Sequence, residues 1–339
     1  MPTTIRAAII FAFAIAGHAA GQTLIGTGYQ DPTVILVSPG QVVPLVATGL
    51  QTVLSGAGVN ADHVPLPTTL AGISVTLSQP PTSYSRSLPI FSIRQFNHCS
   101  ISIAPSSACL LTAITVQIPF DISVPNPLVA SPFNDQPGTI ATIFENGNAS
   151  KAFVLSPVPD QIHVIQSCDI GGQTFETGVC YPIVTHLDGS LVLQDARGPG
   201  QVPLTNTEAH PGEVITMYAY GLGAVSPAVQ EGTASPVPAA VVTAPIYLQF
   251  DYRPNASPSM PTVGSPMTTT PISVGLTPGE IGLYQVNFAV PPPPAGTSVC
   301  GSMIVASLTA PIETNLTISI MASGQSFSGA AICVDTGAQ

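Results

Sequence analysis

Charge is what this sequence has least of. Only 7% of its 339 residues are charged, against about 25% in an ordinary soluble domain. Lys151 is the only lysine among six basic residues. A chain that neutralises phosphates needs a basic stripe, so nucleic acid is excluded as a partner. The net charge of -11 comes from 17 scattered acids, which argues for solubility and little else. Tryptophan is absent, beside 8 Tyr and 12 Phe, so the tryptophan rows that serve many glycan platforms cannot be built. No apolar run reaches the roughly 20 residues of a bilayer-spanning helix, and no transmembrane anchor is expected. Catalytic motifs are missing too. The chain contains no GxSxG elbow, HExxH pair, phosphate loop or calcium loop, and no CxxC. No catalytic residue, cofactor or metal ligand is assigned.

What is present begins with export. Arg6 precedes the apolar run AAIIFAFAIAG at 7–17, and the small residues of GHAAGQ follow. That order reads as a secretory signal peptide over residues 1–21 rather than a buried first helix. The expected location is therefore secreted or at the cell surface. Six cysteines suit that compartment. Sequence permits 15 pairings of six; sequential pairing, Cys99 with Cys109, Cys168 with Cys180 and Cys300 with Cys333, is preferred because each pair closes a local loop.

The rest is short runs rich in Val, Ile, Thr and Phe between turn residues, among them GISVTL, AITVQIPF and APIYLQFDY. Strands at this spacing predict an all-β sandwich. The chain also repeats itself. SPGQVVPLVATGL, from Ser38, returns as HPGEVITMYAYGLG, from His210. Pro39 and Pro211 lie 172 apart (211 − 39), as do Pro119 and Pro291 (291 − 119). Two landmarks at one offset imply a duplicated module. In the second copy Tyr284, Val286, Phe288 and Val290 alternate, which predicts a core-facing strand, and Pro211-Gly212 suits a type II turn.

Through these phrases, with LPTTLAGISVTL, HLDGSLV and LTPGEIGLYQVNFAVP, the chain resembles the Solibacter-type C-terminal domain family of secreted acidobacterial proteins. The resemblance spans about residues 37–334 and implies two tandem immunoglobulin-like β-sandwich modules; it brings no activity with it. The first copy has Ala113 and Thr115 where the second keeps the family's Gln285 and Asn287. The expected division is module 1 over 22–165, with a long insert at 79–109, a bridging hairpin segment over 166–207, and module 2 over 208–337.

The insert offers the best candidate contact loop. It holds Tyr84, Arg86, Phe91, Arg94, Phe96 and His98, and aromatics beside arginine are what binding hot spots use. Gln285 and Asn287 read as an exposed strand face that bonds its neighbours. Glu213 and Glu280 each follow a Pro-Gly and read as turn-edge acids. His186 and Asp188 could orient each other, but Asp188-Gly189 is a hairpin turn signal. His63, His98, His163 and His210 show no ligand spacing. The expected function is a noncatalytic surface or matrix module that meets an unknown protein or glycan. The alternatives are a carbohydrate-binding module for extracellular polysaccharide, and a hydrolase whose triad converges only in space.

Overall fold

The computed structural model describes residues 23–26, 35–56, 58–97, 110–125, 138–171, 180–192, 207–302 and 312–337. Among them the chain is all-β, apart from the short helix α1 (Ser167–Gly171) and a 3-10 turn at Pro254–Ala256. The first strands are β1 (Thr23–Gly26), β2 (Leu36–Val37), β3 (Val42–Thr48), β4 (Gly58–Asn60), β5 (Thr69–Leu70) and β6 (Ile73–Ser78). Then come β7 (Ser85–Ser87), β8 (Ile90–Asn97), β9 (Leu110–Gln117), β10 (Thr139–Glu145) and β11 (Asn148–Pro157). They form two sheets, β1-β3-β9-β8-β4 and β2-β11-β10-β6-β5, with β7 also on β6. The inner faces enclose Val43, Leu45, Val75, Leu77, Ile93, Ile114, Val116 and Ile143.

The later strands are β12 (His163–Val164), β13 (Val184–Thr185), β14 (Val214–Tyr220), β15 (Val225–Ser226), β16 (Val241–Val242) and β17 (Ile246–Tyr252). Last are β18 (Met267–Thr269), β19 (Ser273–Leu276), β20 (Tyr284–Ala289), β21 (Leu316–Ala322) and β22 (Gln325–Ile332). Their sheets run β12-β14-β20-β19-β16-β15, with β13 also on β14, and β18-β17-β21-β22. Ile215, Met217, Leu248, Phe250, Tyr284, Val286, Phe288 and Ile320 fill a second cluster. Each such side chain contributes roughly 1.5–3 kcal/mol by leaving water.

The repeat reaches down to hydrogen bonds. Strand order β3-β9-β8 matches β14-β20-β19, and β11-β10-β6-β7 matches β22-β21-β17-β18. Val42 faces Gln117 and Val214 faces Ala289, an offset of 172 at both ends (214 − 42 and 289 − 117). The Gly40 amide donates to the Ile118 carbonyl at 3.1 Å, and the Gly212 amide to that of Val290 at 2.8 Å. Both Pro-Gly turns close from the fourth residue's amide to the first residue's carbonyl, Gln41 to Ser38 and Glu213 to His210. Gly40 and Gly212 take the positive φ, 72° and 82°, that a type II turn requires.

Two segments near the expected boundaries pair with β14. His163 and Val164 pair with Tyr220 and Ala219 of β14, and Ile162 and Val164 lie in the second cluster. The chain has therefore joined the second pair of sheets before residue 165. Beside the hairpin around Asp188-Gly189, β13 pairs with β14, and Val184 and Val192 are buried in that same cluster. These short apolar strands cover the open edge of β14, whose ladder groups would otherwise be unpaired. The hairpin closes from the His186 amide to the Ser190 carbonyl (2.9 Å) around a three-residue loop.

The described part of the insert, 79–97, is not a free loop. Its residues 85–97 supply β7 and β8, and Leu88, Ile90 and Ile93 are fully buried. The register shifts between Ile90 and Ser92, so a bulge turns both isoleucines inward although they are three apart. That bulge hides the strand from a period-two reading of the sequence.

Buried polar bonds cross between the halves. Gln117 accepts from the Gly232 amide (2.7 Å), and the Leu66 amide donates to the Gly232 carbonyl (2.8 Å). The Ser38 hydroxyl donates to the Gly221 carbonyl at 3.3 Å, and Phe120 packs against the second cluster. Gly221 has a positive φ of 79°, and a Cβ there would stand 2.0 Å from the Gln161 carbonyl oxygen.

Candidate functional site

The candidate contact residues divide between two sheets. Tyr84 and Arg86 flank and form β7, where both bind Asp121. The Tyr84 hydroxyl donates to Oδ1 at 2.6 Å and the Arg86 Nη2 to Oδ2 at 3.0 Å. The guanidinium also lies 5.1 Å from the Tyr84 ring centre, within cation–π range. Burial, then the bond to Asp121, pushes the Tyr84 phenol well above its ordinary range. Arg94 sits on β8 opposite Gly58 of β4, with Phe91 half-buried and Phe96 exposed on the same strand. The five residues thus divide between a cluster of half-buried Tyr84 with exposed Arg86 and Asp121, and the strand β8, which lies between β9 and β4. His98, Cys99 and Cys109 lie outside the described residues.

Every histidine among the described residues rests against a carboxylate. The contacts are His63 to Asp62 (2.7 Å), His163 to Asp169 (2.8 Å), His186 to Glu213 (2.6 Å) and His210 to Asp335 (3.4 Å). His186 does not pair with Asp188, which instead accepts from the Ser190 amide (2.9 Å) and hydroxyl (2.6 Å) to set the hairpin tip. Glu213 accepts from the His210 amide (2.9 Å) as well. Burial works to raise the Glu213 carboxyl, but the His210 amide and the His186 ring outweigh it and hold the group below its ordinary range. Asp169 behaves alike: burial is outweighed by the His163 ring and the Gln166 amide.

The other half of the repeat explains this acid. Gln41, in the place of Glu213, accepts from the Ser38 amide at 2.9 Å. Both side chains therefore brace their own turn, and Glu213 additionally orients His186. A Ser-His-acid triad would place a hydroxyl on the far nitrogen of that ring. Among the described residues Nε2 of His186 is buried with no hydrogen-bond partner.

Asn287 accepts from the Thr216 hydroxyl (2.7 Å) and donates to that of Ser273 (2.8 Å), joining β14, β20 and β19 across their outer face. Gln285 is half-buried on the same face. Glu280 ends another Pro-Gly turn, its amide donating to the Thr277 carbonyl. Cys168 is bonded to Cys180 and Cys300 to Cys333. Atoms of Glu208, Cys300 and Cys333 lie within 4.8 Å of one another; with both sulfurs joined, the group lacks the thiolates a metal needs. Asp121 and Gln117, which carry much of this geometry, have no motif around them. Only the fold brings Asp121 to a strand 35 residues earlier.

No helix among the described residues is long and apolar enough to cross a membrane. No family model matches the chain, and no curated protein matches it.

Proposed function

We propose that the chain is an exported, noncatalytic contact protein of two tandem immunoglobulin-like sandwich modules, acting at the cell surface or in the extracellular matrix. The observation that carries this reading is the duplicated turn and register at offset 172. In both copies the matched polar side chains brace their own turns, so the repeated residues serve the scaffold. Two disulfides favour an oxidising compartment, and the likeness to the Solibacter-type family supports the same assignment. The Tyr84–Arg86–Asp121 cluster and the Arg94–Phe96 stretch of β8 are the proposed protein-contact surfaces, since aromatics beside arginine are what binding hot spots use.

Expression in a bacterial host with cell fractionation provides the test. The chain should leave the cytoplasm and begin near residue 22. The mature protein, added to cells of the producing organism, should be retained on their surface. Retention should fall in Arg94→Ala or Phe96→Ala with the melting temperature near wild type. A full-length cytoplasmic product, or no retention by the wild type, overturns the reading.

A further inference from the structure

The outer face of the β18-β17-β21-β22 sheet differs from that of β14-β20-β19 in how its polar groups are used. On β14-β20-β19 the outward Thr216, Asn287 and Ser273 bond one another. On the four-stranded sheet, register places Thr268, Gln249, Ser319 and Ser328 in one row across all four strands. None of these four side chains has a hydrogen-bond partner within the described residues. Tyr247, Met321 and Ser326 form the adjoining row, and Tyr247 is 44% exposed. Asp251 is the one charged outward residue on these strands, and Arg253 pairs with it.

We infer that this face binds a neutral polysaccharide. Four strands spaced about 4.8 Å apart give a row about 14 Å long, room for more than one sugar ring. Hydroxyl and amide groups that both donate and accept suit sugar hydroxyls, and the exposed Tyr247 ring supplies a flat apolar surface for the C–H face of a pyranose. An anionic glycan would meet no free cation here. A protein partner fits less well, because serine is depleted in protein interfaces and this face presents Ser319, Ser326 and Ser328. The site names a ligand class for the contact protein proposed above and rests on that reading.

The mature protein should be run in native gels containing a neutral glucan, xylan, mannan or dextran, with alginate as the anionic comparison. At least one neutral polymer should retard it and alginate should not. Tyr247→Ala should weaken retardation about tenfold or more, as loss of a hot-spot residue does. Tyr247→Phe should keep it, Gln249→Ala should weaken it, and Gln285→Ala should leave it unchanged. Thermal melts of all four variants should stay near wild type. Retardation by no neutral polymer, by alginate alone, or equally in Tyr247→Ala and wild type overturns the inference. Cell retention that survives such a result leaves the contact reading standing; its loss as well defeats both.

Discussion

At the scale of single residues, the two copies of the repeat act as each other's controls. Glu213 and Gln41 brace equivalent turns with equivalent bonds, so Glu213→Gln should keep its turn and change stability at pH 7 by less than about 1 kcal/mol. The acid response should differ. A carboxyl held below its ordinary 4.5 in the folded state adds stability above that value, and loses it as pH falls through the lowered one. Melting temperatures below pH 4.5 should therefore drop further in wild type than in Glu213→Gln. Asp160 carries the opposite sign. Burial raises its carboxyl above 3.8, against a bond from Ser323, so its contribution is lost as pH rises. Asp160→Asn should melt higher than wild type at neutral pH, with the gap closing below pH 3.8. Phe288, 1% exposed and 5.7 Å from the Phe250 ring centre, should cost about 3–5 kcal/mol on truncation to Ala. Gln285→Ala should cost less than about 1 kcal/mol. Denaturant titrations separate these cases.

At the scale of elements, the Cys300–Cys333 bridge should matter more than Cys168–Cys180. The two close loops of 33 and 12 residues; loop entropy then gives about 3.7 and about 2.8 kcal/mol. The longer bridge also anchors the end of β22, where the Cys333 carbonyl accepts from the Ala209 amide (2.9 Å). Replacing both cysteines of each pair by Ser, in turn, should reproduce that order in denaturant midpoints. The strands themselves were legible where alternation is clean, as in β20. Strand β8 was not, because its bulge breaks the period on which such reading depends.

At the scale of the whole molecule, Gln117 links the halves. It is 1% exposed and accepts from the Gly232 amide, so Gln117→Ala leaves a buried donor unpaired and should cost about 1–3 kcal/mol. Circular dichroism at room temperature should stay unchanged while the melting temperature falls. Gly221→Ala should be worse, since its φ is positive and a Cβ would collide with the Gln161 carbonyl. Backbone cannot swing aside as a flexible side chain does.

The all-β class, the Pro-Gly turns, the 172-residue repeat and the core face of β20 were all written in local pattern. Backbone preference and side-chain alternation act between near neighbours and leave a mark on the sequence. The partners of His186, the meeting of Tyr84 and Arg86 with Asp121, and the entry of 163–164 into the second sheet were decided only by tertiary structure. So was the row from Thr268 to Ser328. Each depends on strand order and register between segments tens of residues apart, and a one-residue slip would turn those side chains to the opposite face.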